Sequence, residues 1–309
     1  MSAPVLFGKL PARADFVRRG GASPALDALD TLAQNALRAG LTVKTGPLYR
    51  MVFVPPSGPQ ALAGAIQLSR DRVGRAYPLF AGQPISRPRL DPDAAASWPL
   101  RWRPVLGAAA RLIDAAVLQD APLTEVDARL TALPPLAPLI GRSPEIDYHV
   151  SSLSGLSIHE LATRIWGDGS PMRLGLVVQR LLDASHATIP YGVRFPLPPS
   201  ESDFGHSDAV AFWLAMCWHL LPTPPTPPSL FWTDGDPGAL VVFISGLSPA
   251  AFRPLLTGTS APDRIAAIDA GSPGTMRRVY TTLPSRFRDF LEAPSTSVAD
   301  LLGHLHALR

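Results

Sequence analysis

A chain of 309 residues, 46% hydrophobic and only 17% charged, has the length and composition to bury a large core and falls outside the disordered class. Its single cysteine, Cys217, excludes an intramolecular disulfide framework and a cysteine-cluster metal site, and a formal charge of +3 is too small to imply nucleic acid by itself. The charge is uneven: residues 1–103 carry 14 Lys/Arg against 6 Asp/Glu and residues 104–309 carry 14 against 19, so the first third is expected to present a basic surface.

Val5 to Gly8 is a short apolar run that opens a sheet. Ser23 and Pro24 read as an N-cap and N1 pair, followed by Leu26, Leu29, Ala33, Ala36 and Leu37 at helical spacing and a stop at Gly40. Leu48 to Val54, Ala63 to Leu68 and Tyr77 to Ala81 read as strands. Ser97 to Gln119 turns helical, and Thr124 with Asp127 suggests a capping box for a short helix to Leu133. Residues 134–144, with Pro134, Pro135 and Pro138, are a plausible joint.

Ser157 with Glu160 forms a clearer capping box for a helix stopping at Gly167. Met172 to Ala184 fits a helix or a strand and helix, and Pro190 to Pro199 reads as extended. The apolar run 209–221 has 13 residues and includes His219, predicting a buried helix capped by Ser207 rather than a membrane span. A polyproline-like connector, 222–228, leads to strands at Ser229 to Thr233 and Leu240 to Ser245, joined by a turn at 234–238. Ser248 and Pro249 cap a helix to Leu256, and the stretch from Thr257 reads as loop-rich with one amphipathic helix at its end. The expected class is α+β, with helices on a mainly antiparallel sheet. Three segments are anticipated: 1–138, 139–258 and a tail, 259–309.

Catalytic signatures are missing from the sequence. It has no phosphate-cradling glycine loop, no H-E-x-x-H and no G-x-S-x-G. The seven histidines are scattered, and Cys217, between Met216 and Trp218, reads as a small buried hydrophobe. No catalytic, cofactor-binding or metal-ligating residue is therefore expected. The chain starts without a signal-peptide pattern, which points to the cytoplasm.

Two stretches stand out. In 7–17, a strand leaves through Gly8 and Pro11 and places Lys9, Arg13 and Asp15 in a loop, with Arg18 and Arg19 behind. In 69–79, Arg70, Asp71, Arg72 and Arg75 occupy a turn between two strands. These are either solvated loops with weak local ion pairs, a lock on the fold, or a basic patch whose arginines pair with carboxylate or phosphate on a partner.

Together the two stretches resemble the TagF (ImpM) family associated with type VI secretion. Gly8, Lys9, Leu10, Pro11, Arg13, Asp15 and Phe16 fit its first motif, and Asp71, Arg72, Val73, Gly74, Arg75, Tyr77, Pro78 and Leu79 fit its second. Residues 229–233 and 246–249 look like the family's later strand and turn, so the resemblance spans about 4–256. Ala14 stands where the family has glycine; at positive φ an alanine would cost about 1 kcal/mol. Ser248 stands where a proline is common.

The resemblance implies a layered α/β/α sandwich and a cytoplasmic protein without enzymatic activity. It further implies post-translational repression of the secretion apparatus through a forkhead-associated (FHA) scaffold protein, with other type VI components as possible partners. It implies neither nucleic acid nor a membrane span. Lys9, Arg13, Asp15, Arg70, Asp71, Arg72 and Arg75 are the residues expected to bind that partner or to lock the fold. The alternatives are a structural component of the type VI baseplate and a hydrolase whose site assembles from distant residues.

Overall fold

The computed structural model describes residues 3–38, 40, 45–88, 92–137, 151, 153–185, 192–199, 206–221, 226–233, 235, 238–244 and 246–305. The strands are β1 (Val5–Lys9), β2 (Phe16–Arg19), β3 (Tyr49–Phe53), β4 (Gln60–Arg70), β5 (Ala76–Ser86), β6 (Gly192–Pro196), β7 (Ser229–Thr233), β8 (Ala239–Phe243) and β9 (Ile265–Ala267). They make one sheet in the order β2-β1-β5-β4-β3-β7-β8-β6-β9. Every pairing is antiparallel except β6 with β9. The helices are α1 (Pro24–Leu37), α2 (Pro92–Arg101), α3 (Arg103–Val117), α4 (Leu123–Thr131), α5 (Ile158–Trp166), α6 (Pro171–Ser185), α7 (His206–Leu220), α8 (Pro249–Thr257), α9 (Pro273–Thr282), α10 (Ser285–Glu292) and α11 (Val298–Leu305).

Strand periodicity sorts the two faces. On β4, Leu62 and Ile66 point to one side, where α1 and α8 pack with Leu26, Leu29, Phe252 and Leu255. Ala61, Ala63 and Ala65 point to the other, against α2, α3 and the remaining helices. The expected mainly antiparallel sheet between two helical layers is what the chain builds. The central join is β3 with β7, Met51 opposite Phe231. Beside it the Val54 amide donates to Ser229 Oγ at 3.0 Å, across 175 positions of sequence.

Several local expectations hold for local reasons. Ser157 Oγ accepts from the Glu160 amide while Glu160 accepts from the Ser157 amide, and Gly167 ends α5 at φ +77°. Ser248 caps α8 by accepting from the Ala251 amide. Between the two readings left open for 172–184, the chain takes the helix.

Other expectations are corrected. Phe16–Arg19, read as part of a loop, is an edge strand carrying two arginines, a composition that suits an edge and hides a strand. Ser23 makes no cap bond; its hydroxyl donates to Gln60 Oε1 at 2.9 Å. Thr124 is no cap either, because α4 starts one residue earlier behind Pro122. The 97–119 helix is two helices, with Pro104 in the first turn of the second. Ser207 lies within α7, which begins at His206.

β5 runs past Pro78 and Pro84, because β1 pairs only with Phe80–Gly82 and both prolines lie outside that stretch. The stretch from Thr257 is not loop-rich: it supplies β9 and three helices. Their Tyr280, Phe287, Leu291, Leu301 and Leu305 join the largest core cluster. The joint at 134–144, the proline connector, the 234–238 turn, His149, His186 and His306 lie wholly or partly outside the described residues. Among the described residues no helix is long and apolar enough to cross a membrane.

Candidate functional site

The two motif stretches meet at one end of the sheet, and Gly8 is the reason they can. Its φ is +135°, and a Cβ there would lie 2.0 Å from the Pro78 carbonyl oxygen. Only glycine allows β1 to pass so close to β5. Passing there, β1 delivers Lys9 Nζ to Asp71 Oδ2 at 3.1 Å.

Asp71 begins the five-residue loop between β4 and β5. Its Oδ1 accepts from the amides of Val73 (3.1 Å) and Arg75 (2.9 Å), and its Oδ2 also accepts from Arg75 Nε at 2.7 Å. The Gly74 amide donates to the Asp71 carbonyl at 2.9 Å, with Gly74 at φ +89°. The side chain of Asp71 is fully shielded from solvent. Burial alone would raise its pKa, but the amide and guanidinium of Arg75 and the ammonium of Lys9 outweigh it and hold the carboxyl down at about 2. It is therefore a buried anion with four donors on two oxygens.

The hairpin loop is stitched to the first motif. The Arg72 amide donates to the Arg13 carbonyl at 2.8 Å, and the Arg75 guanidinium donates to the Ala14 carbonyl. Ala14 does not take a positive φ, so the replacement of glycine carries no left-handed strain here. Arg70 reaches the Gly74 carbonyl at 2.6 Å. Asp15 does not share Asp71's role: it is exposed and, among the described residues, holds neither an arginine nor an amide.

The arrangement divides the seven motif residues. Lys9, Asp71 and Arg75 form the knot, and Arg70 braces its loop. The side chains of Arg13 and Arg72 are exposed, with no carboxylate pairing them among the described residues. Beside them stand two apolar groups that the sequence did not mark as exposed: Val73 at 62% and Phe16 at 42% accessibility. Phe16 is anchored by edge contacts to Phe7 and Tyr77, at 4.7 and 5.2 Å between ring centres. Tyr77 donates in turn to the Asp30 carboxylate on α1. Arg18 pairs with Asp27 and Arg19 with Asp127, so the strand behind the loop is tied to α1 and α4.

Residues 5–133, which contain both motifs, match the profile of a family described as TagF N-terminal domain, Type VI secretion system-associated. This stretch is a TagF N-terminal domain. The crystal structure of PA0076 from Pseudomonas aeruginosa PAO1 aligns with a TM-score of 0.45 at 19% identity, over 84% of this chain and 96% of that one. The comparison with curated proteins finds no match. The TagF N-terminal domain supplies β1 to β5 and α1 to α4, and the sheet continues from its β3 into strands that lie beyond the match.

Elsewhere, burial pushes the Cys217 thiol up to about 12, which leaves it a thiol at neutral pH. His304 stacks on Phe290, 4.1 Å between ring centres. Among the described residues no group of three His, Cys, Asp or Glu is placed to hold a metal ion.

Proposed function

We propose that this protein is a cytoplasmic, non-catalytic regulator of the type VI secretion apparatus, a post-translational repressor that binds an FHA scaffold protein. The observation that carries the reading is the split within the motifs. Asp71 takes up Lys9 and Arg75, which leaves Arg13 and Arg72 pointing outward beside Val73 and Phe16. Exposed guanidinium groups in the same loops as exposed apolar side chains suit a partner segment that carries carboxylates or phosphate, because arginine meets either in bidentate fashion. The membership of residues 5–133 in a type VI-associated family supports the same reading.

The test is quantitative recovery of partners by tagged protein from cytoplasm expressing the apparatus, comparing the natural chain with Arg72→Glu. The substitution spares the Arg72 amide, whose bond to Arg13 needs no side chain. An FHA protein should be recovered by the natural chain and depleted roughly tenfold or more by the variant, as for loss of a charged contact plus repulsion. The unfolding midpoint should stay unchanged. Unchanged recovery would overturn the docking surface. Recovery of sheath or baseplate proteins without the scaffold would replace the repressor by a structural component.

A further inference from the structure

A pocket of about 560 Å³ opens at the end of the sheet where β3 begins and β7 ends, away from the motif loops. Tyr49, Val241, Arg194 and Leu255, near the end of α8, line it, together with the exposed Thr259 and Ser260. The volume is in the range of pockets that enclose small organic molecules, and this mixture of apolar wall and a few polar groups is their usual lining.

Among the described residues the charged lining is of one sign. Arg50 and Arg194 both contribute, and no aspartate or glutamate lines the pocket among the described residues. Arg194 lies on β6, an interior strand, between Val193 and Phe195, both buried. It is exposed and has no carboxylate partner among the described residues. A guanidinium that meets no carboxylate among the described residues, carried by a strand inside a concave, partly apolar site, is suited to receive an oxyanion. Tyr49 complements it: burial pushes its phenol up to about 12, with Arg194 pulling it down in part, so it offers a neutral O–H donor.

We propose that this pocket binds a small organic anion, a phosphate or carboxylate group on an apolar body, with Arg194 as the principal anion contact. The site is independent of the paired-loop surface and of the partner read from it. Tyr49 belongs to the TagF N-terminal domain, whereas Arg194, Leu255, Thr259 and Ser260 lie beyond it.

The test is calorimetric titration of the full chain with phenyl phosphate, benzoate, inorganic phosphate and phenol. Saturable one-to-one binding of phenyl phosphate or benzoate, weakened roughly tenfold or more by Arg194→Glu, is expected. Whichever of the two binds more tightly identifies the anionic group. Ser260→Trp, at an exposed lining position, should block the pocket without touching the core, and keeps the test valid if the arginine variant unfolds. The proposal is overturned if no organic anion binds saturably. It is equally overturned if phenol or inorganic phosphate binds as well as phenyl phosphate, or if the folded variants bind like the natural chain.

Discussion

Replacing Asp71 by asparagine isolates the charge at the centre of the motif knot. Asparagine keeps the volume, and its oxygen can still accept from the amides of Val73 and Arg75. What goes is the anionic oxygen that meets Lys9 at 3.1 Å and Arg75 at 2.7 Å, and an amide donor takes its place facing two cations. The carboxyl stands at about 2 rather than the ordinary 3.8, a displacement worth about 2.5 kcal/mol at 1.36 per unit. Lys9 keeps 14% of its side-chain accessibility and Arg75 60%, so water compensates both cations in part. The loss should fall at about 2–4 kcal/mol, below that of a fully buried pair.

Urea unfolding at neutral pH measures that loss, and its pH dependence identifies the cause. A carboxyl whose pKa is lower in the folded state stabilises fully above its unfolded value and progressively less as the pH falls through its folded value. The gap between the natural chain and Asp71→Asn should therefore be complete above pH 4 and should shrink as the pH falls from about 4 to about 2. A variant within about 0.5 kcal/mol of the natural chain at neutral pH, or a gap that does not change down to pH 2, would refute the buried-anion account.

Gly8→Ala should lower stability by about 3 kcal/mol or more, because its Cβ collides with a backbone oxygen on β5. Gly21→Ala, where nothing lies within 4 Å, is the control and should change stability little in thermal unfolding. Cys217, buried with its thiol pushed up to about 12, should resist alkylating reagents in the folded chain and react stoichiometrically in denaturant. Labelling at equal rates in both states would place the thiol at the surface.

The parts of the fold that were legible carry their signal within a few residues. The Ser157–Glu160 box and the Ser248 cap are readable because donor and acceptor are three positions apart. Four-residue β2 was missed because its pairing with β1, not its own apolar content, makes it a strand. Of the tail helices the last, α11, was legible from its apolar stripe, with Val298, Leu301 and Leu305 buried; α9 and α10 were missed because each faces the core with few groups, such as Phe287 and Leu291 of α10, too few for a convincing period. In the motif loops the residue types were legible and the pairing was not. Asp15 and Asp71 both sit near arginines in sequence, and only the approach of β1 to β5 at Gly8 decides which one is buried. The pocket had a fainter signal: Arg50 and Arg194 each interrupt an otherwise apolar strand.

The join between β3 and β7 has a consequence for the nascent chain. Val54 and Ser229 bond across 175 positions, so at about 5–20 residues per second β3 leaves the ribosome roughly 10–35 s before its neighbour exists. Throughout that interval Tyr49–Phe53 presents one unsatisfied backbone edge beside apolar side chains. Such an edge recruits whatever strand arrives first. The TagF N-terminal domain is therefore synthesised as a template still waiting to be completed, and in a growing cell the risk of mispairing is set by translation speed and by holding chaperones.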